Sequence, residues 1–322
     1  MLSRRTLLPL AATALAAPAR AQDWPTRPIR LVVAWAPGGA VDTIARRLAP
    51  KLAEALGRPV VVENRSGATG TIGAAEVARA APDGHTLLAM DNTYAMLPLL
   101  FRQLPFDHAA AFRPVTVSAF SPVMLAVHRD APWRDLPALL EAARREPERL
   151  SYGTGGIGSA PHFATAAFAQ AAGIRLLHVP FRGAGEAVTA TLARQVDLVM
   201  VSLGSAIGHV RAGLLRPLAM SGAARAAALP DAPTFREAGL PGFGDGVVNW
   251  SGLAAPAGTP DAVVARLHAE AARALAAPDM REFLDGLASS PGGMPPAAFA
   301  ALLREEQARW AEVARTAGIE QG

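Results

Sequence analysis

The sequence predicts an α/β fold in two lobes, built mainly on parallel sheets and joined by a double hinge. Short segments of almost unbroken apolar residues alternate with helical patterns, which is how strands buried on both faces of a parallel sheet read. The alternation pauses in a proline-containing stretch near Arg113-Pro114 and then starts again, so there are two such units. After Trp250-Ser251-Gly252-Leu253 the chain turns to helices with few strands between them, and such helices need a sheet to cover. They are expected to return to the first unit. The boundaries this sets are lobe 1 over 22–122 plus 252–322 and lobe 2 over 123–251.

The first strand spans Ile29 to Trp35 and is followed by Pro37-Gly38-Gly39. Val41, Ile44, Leu48, Leu52 and Leu56 then recur at helical spacing up to Gly57, with Pro50 expected to kink the helix because it lacks a donor. Val60-Val61-Val62 is the second strand, Asn64 to Gly70 its turn, and Ile72 to Ala80 its helix. Thr86 to Met90 is the third strand. In the second unit, Val123 to Val127 reads as strand, Leu136 to Arg145 as helix, and Leu150-Ser151-Tyr152 as a strand entering Gly153-Thr154-Gly155-Gly156-Ile157-Gly158-Ser159. A helix over Pro161 to Ala172, a strand over Arg175 to Val179, the turn Arg182-Gly183-Ala184-Gly185 and a helix to Ala193 follow. Val196 to Val201 and Leu214 to Met220 are further buried strands. Thr259-Pro260 reads as a cap with Pro at the first helical position, opening three helices, the last with Phe299, Leu302, Leu303, Trp310 and Val313 on one face.

With 322 residues, 51% hydrophobic and 18% charged, the composition excludes disorder and low-complexity chains. Arg4 and Arg5 precede an apolar run from Leu7 to Ala17 and then Ala19-Arg20-Ala21, the pattern of a cleaved export signal over residues 1–21. Ser3-Arg4-Arg5-Thr6-Leu7-Leu8 also resembles the twin-arginine motif, and either route leads to the periplasm. Removing three arginines and no acid lowers the net charge from +4 to +1, so the basic balance gives no argument for nucleic acid or an anionic membrane. The absence of cysteine removes disulfides, thiolate metal sites, a cysteine nucleophile and a lipoprotein anchor. A soluble, unanchored periplasmic protein is expected.

Four strand-to-helix turns, at Gly38-Gly39, Gly67 to Gly70, Gly155 to Ser159 and Gly183 to Gly185, place backbone N–H groups at helix starts, where the orphan donors and the helix dipole favour an anion. Ligands of open α/β sheets sit at the carboxyl ends of strands, so these turns can face one cleft, with Thr69, Asn92, Thr93, Thr154, Ser159 and Ser202 beside them. The other reading of such glycines is tight turning and close helix packing. His162, one turn into its helix, either reaches the ligand or packs. Asp42, in the first turn of its helix, reads as a dipole-favourable residue in preference to a general base.

Enzymatic readings have less support. Gly153 to Gly158 fits the dinucleotide spacing G-x-G-x-x-G, but the next strand runs into Pro180-Phe181-Arg182 where the ribose-binding acid belongs. There is no G-x-S-x-G elbow, since Ser159 is followed by Ala160-Pro161-His162. The seven histidines show no paired metal spacing. Neither a metal, a cofactor nor a catalytic residue is therefore expected.

Many ordered segments resemble one family. They include Trp24 to Val33, Pro37-Gly38-Gly39 with Asp42 and Ala45-Arg46, Val62 to Ala68, Ala81 to Leu88, Tyr152-Gly153 through Ser159 with His162, and His178 to Gly183. Pro230 to Thr234, Glu237 to Gly242 and Ala255 to Pro260 continue the likeness. Together they are similar to Bug-type receptors, the extracytoplasmic solute-binding family of tripartite tricarboxylate transporters. The resemblance implies a class II periplasmic-binding-protein-like fold that closes over a small organic carboxylate and delivers it to membrane permease subunits. It also implies ligand contacts from Pro37, Gly38 and Gly39, from Ala68, Thr69 and Gly70, and from Gly155, Gly158, Ser159 and His162. The family's usual Tyr-Lys is replaced by Phe181-Arg182, which removes a phenol hydroxyl from that side of the pocket. An Asp before its next glycine-containing stretch is replaced near Ala190-Thr191-Leu192-Ala193-Arg194.

Overall fold

A computed structural model describes residues 24–317 except 242, 245 and 246. The export signal expected over 1–21 lies outside the described residues. In chain order the elements are β1 (Ile29–Val33), α1 (Ala40–Leu56), β2 (Val60–Asn64), α2 (Thr71–Ala78), β3 (Thr86–Asp91), α3 (Thr93–Leu100), β4 (Phe112–His128), α4 (Leu136–Arg145), β5 (Ser151–Thr154) and α5 (Ala160–Ala172). They continue as β6 (Leu177–Pro180), α6 (Ala184–Leu192), β7 (Leu198–Ser202), α7 (Leu203–Arg211), β8 (Leu215–Met220), β9 (Val248–Pro256), α8 (Asp261–Ala276), α9 (Pro278–Gly286), β10 (Ser290–Pro291) and α10 (Pro296–Ala317).

The apolar strand–turn–helix units form as their patterns direct. β1 pairs in parallel with β2 and β3, and β5 with β6 and β7. Val41, Ile44, Leu48, Leu52 and Leu56 of α1 bury one stripe against Ile29, Leu31 and Val33 of β1. Gly57 ends that helix at φ 69°, a left-handed conformation that glycine adopts without a Cβ clash. Pro50 lies inside α1, which continues through it.

Two strands make the sheets mixed. β4, at 17 residues, pairs antiparallel with β9 from Phe112 to Pro122, then with β7 and β8 from Val123 to His128. It therefore leaves one ladder and enters another at Pro122, a residue with no N–H to donate. β9 lies antiparallel between β3 and β4, in the segment read from sequence as the start of the helical tail. α3, which the sequence reading left without an element, packs against α10.

The molecule thus has two halves, a β2-β1-β3-β9 sheet and a β8/β4-β7-β5-β6 sheet, with β4 running through both and the chain returning through β9. Leu267, Ala271 and Leu275 of α8 join the core under β1. Phe299 of α10 meets Trp250 edge-on at 5.1 Å, while Trp310 reaches Phe163 of α5 in the other half at 5.9 Å. The expected Thr259 cap is different in detail: its hydroxyl donates to Pro256 O at 2.7 Å, and α8 begins at Asp261. Among the described residues no helix is long and apolar enough to cross a membrane.

Candidate ligand-binding cleft

The carboxyl ends of β1 and β3 face those of β5 and β7 across a narrow cleft lined by Trp35, Gly39, Asp91, Gly155, Ser159, Ala184, Ser202, Ser205 and Asn249. On the first side, the turn before α1 is held from below by Asp42. This carboxylate is buried and accepts from Gly38 N–H at 3.1 Å, Asn64 Nδ2 at 2.8 Å and Arg46 Nε at 3.0 Å. Burial works against its charge, but the hydrogen bonds from Arg46, Asn64 and Gly38 outweigh it and hold its pKa below the usual range. Asn64 also donates to Trp35 O at 2.9 Å, so one pair of side chains fixes both ends of the turn. The N–H groups of Gly39 and Val41 have no hydrogen-bond partner among the described residues. Asp42 is thus a shaping residue, in keeping with its reading as something other than a base.

On the second side, Ser159 caps α5 by accepting from His162 N–H. Gly155 lies against Gly183 and Ala184, whose backbone atoms would stand 3.3–3.4 Å from an added Cβ. The N–H groups of Gly155 and Ala184, like those of Gly39 and Val41, have no partner among the described residues. Ser202 and Ser205 share a hydrogen bond at 2.9 Å.

Hydrogen bonds join the two halves across the cleft. Thr69 Oγ1 donates to Ile157 O at 2.7 Å, Ala160 N–H donates to Thr93 Oγ1 at 2.9 Å, and Ala40 N–H donates to Ser205 Oγ at 3.1 Å. Gly158 sits under Leu100, whose side chain would clash with an added Cβ. Thr69 therefore spends its hydroxyl on the other half of the protein, while Thr93 accepts from that half and also hydrogen-bonds Asp91 in its own. Ala68 and Thr69 adopt φ of 43° and 55°, and for β-branched Thr69 this left-handed conformation is strained.

Of the two readings open to His162, ligand contact or packing, its surroundings are those of a packed ring. Its Nδ1 accepts from Gly158 N–H at 2.9 Å, and its ring stacks on His178 at 4.1 Å, which in turn stacks on Tyr152 at 4.9 Å. Burial pushes the His162 pKa down to about 4, and burial together with the neighbouring His162 charge pushes His178 down to about 3. Both rings are neutral near pH 7, and His162 braces the glycine loop. Thr154 Oγ1 lies 2.6 Å from His178 Nε2 and belongs to the same brace. Asn92 is buried with Nδ2 at 3.4 Å from Val248 O. Phe181 lines a neighbouring surface hollow with Pro37 and Gly38 and packs against Gly153, while Thr69, Gly70 and Thr93 line a smaller hollow behind Trp35.

Trp35, Asp91, Ser205 and Asn249 were not singled out from the sequence. Asp91 carries the clearest signal in retrospect, an acid ending an otherwise apolar strand. It is buried and accepts from Thr93 N–H at 3.0 Å. Burial raises its pKa to about 6 against the opposing hydrogen bonds from Thr93 and Trp35. Among the described residues no group of three or more His, Asp or Glu is placed to hold a metal ion.

The family model described as tripartite tricarboxylate transporter family receptor matches residues 44–319. A protein encoded in the tcbD-tcbE intergenic region of Pseudomonas sp. strain P51 is 40% identical over 95% of this chain and 92% of its own length. Protein BugT of Bordetella pertussis is 31% identical over 96% of this chain and 95% of its own. Among solved structures, R. palustris Rpa4515 with adipate superposes with a TM-score of 0.89 at 34% identity, covering 93% of this chain and 100% of that one. MatC from Rhodopseudomonas palustris with bound malate gives 0.85 at 35% identity, covering 90% and 99%. The order of the strands, the cleft between the halves and these matches agree, and the chain belongs to the tripartite tricarboxylate transporter receptor family.

Proposed function

We propose that the protein captures a small organic carboxylate in the periplasm, between lobe 1 (22–122 plus 252–322) and lobe 2 (123–251), and delivers it to the permease subunits of a tripartite transporter without a chemical step. The observation that carries this reading is the set of unpartnered N–H groups on both sides of the cleft, at Gly39 and Val41 and at Gly155 and Ala184. Backbone donors at helix starts suit a carboxylate, and donors contributed by both halves reward closure. The adipate and malate held by structural relatives belong to the same chemical class. Pro37, Gly38, Ala68, Gly70, Gly158 and His162 act in this reading by shaping the loops around the anion.

A thermal-shift screen of protein stripped of co-purified ligand by partial unfolding tests it. A ligand at about 100 times its dissociation constant stabilises the fold by roughly 2.7 kcal/mol, which moves the melting midpoint by several degrees. Organic acids are expected to dominate the hits. Hits confined to nucleotides or neutral sugars would contradict the assignment.

A further inference from the structure

The donors described above account for one end of a ligand, whereas the floor of the cleft offers acceptors. Among the described cleft-lining residues Asp91 is the one with a charged side chain, and it borders both the main cleft and the hollow behind Trp35. The ladders place its neighbours. β3 and β9 pair Asp91 with Ser251, so these two side chains share a face of the sheet, and Asn249, two residues along β9, lies on that same face. Asn249 Oδ1 and Ser251 Oγ are buried and have no hydrogen-bond partner among the described residues. Asn249 itself lines the cleft. A carboxylate and an amide side chain thus border one cleft with no lysine or arginine among the described residues lining it.

Such a cluster is costly unless something supplies protons to it. Thr93 and the indole of Trp35 orient the Asp91 carboxylate, but both are neutral and leave its charge unbalanced. A fully ionised dicarboxylate would place its second anion against Asp91. An ammonium group would instead find the Asp91 carboxylate, with the side chain of Asn249 lining the cleft beside it. On the reading that backbone N–H groups hold one carboxylate, we infer that the ligand is an aminocarboxylate, with its ammonium on the Asp91–Asn249 side of the cleft, and that Asp91 selects it over dicarboxylates. The raised pKa that burial gives Asp91 fits a carboxylate awaiting a cationic partner.

Calorimetric titration of the stripped, full-length mature protein with matched acids tests this. The probes are β-alanine, succinate and propionate; 4-aminobutyrate, glutarate and butyrate; and 4-(aminomethyl)benzoate, terephthalate and benzoate. In at least one series the amino acid is expected to bind at least about tenfold more tightly than the dicarboxylate of matching length, as removal of a buried charge pair implies. Asp91→Asn should abolish that preference, weakening the amino acid by about tenfold or more and strengthening the dicarboxylate, and Asn249→Leu should weaken the amino acid alone. The ranking by the wild-type protein decides the matter even if a variant folds poorly. A dicarboxylate preferred in every series that binds, or a ratio unchanged in folded Asp91→Asn, would overturn the inference while leaving the carboxylate-receptor reading intact. Failure of every acid to bind, while a neutral solute or nucleotide does, would overturn both.

Discussion

At the scale of single residues, the cleft shows how the same residue type does different work on its two sides. An added Cβ at Gly39 meets nothing within 4 Å, and the residue sits at φ −79°, open to any side chain. Gly155 has backbone atoms of Gly183 and Ala184 at 3.3–3.4 Å from the same position. Gly39→Val is therefore expected to lower ligand affinity at least about a hundredfold while costing no more than about 1 kcal/mol of stability, the range of a helix-cap exchange. Paired calorimetric titration and melting check it, and normal affinity would remove Gly39 from the site. Gly155→Val should instead lower the melting midpoint. His162 makes a second prediction. Because its folded pKa lies well below that of an exposed histidine, the ring stays neutral from pH 6 upward and contributes no charge to an anion. Affinity should vary by no more than about twofold between pH 6 and 8. A steep fall as pH rises through about 6.5 would show a protonated histidine in the site. In the stability of the protein the sign is reversed: the unfolded chain takes up a proton more readily than the folded one, so this histidine's contribution is lost as pH falls from about 6.5 toward 4.

At the scale of elements, the strength of the sequence signal tracked how apolar an element's own residues are. β1 and β2 were legible because they are apolar runs followed by glycine turns and helices, β5 because a glycine turn and a helix follow it, and β3 and β7 as apolar runs alone. β9 was not, because Gly252, Ala254, Ala255 and Pro256 have low strand propensity and are ordered by their neighbours in space. Gly252 shows the cause directly: an added Cβ would lie 2.7 Å from the Phe299 ring of α10 and 3.0 Å from Thr116 O. Gly252→Ala is expected to destabilise the protein by about 1–3 kcal/mol through overpacking, with binding by the folded fraction unchanged. Denaturant melts with calorimetry separate the two effects, and an unaltered midpoint would contradict this packing. α3 is hard to read for a related reason, since Pro98 lies inside it and it packs against α10, far away in sequence. The same distinction applies to the site. The glycine turns could be read from order along the chain, but Asp91 and Asn249 come to one cleft through a β3–β9 ladder between residues far apart in sequence. His162 was visible, yet its role depended on His178 and Gly158, which the fold stacks and bonds around it.

At the scale of the whole molecule, the two halves are tied to each other along the cleft. β4 and the return through β9 keep them together, and bonds from Thr69, Thr93 and Ala40 to the facing half draw the cleft shut. On the proposed function, a ligand held by N–H groups from both sides adds to the same closure and gives a permease a shape to distinguish. The central claim is that a small organic acid occupies this closed cleft. Native mass spectrometry of protein isolated gently from the periplasm, followed by release and identification of what it carries, tests that claim most directly. The account predicts one organic acid per chain, lost in Gly39→Val; a nucleotide, a neutral sugar or a metal ion in that place would contradict it.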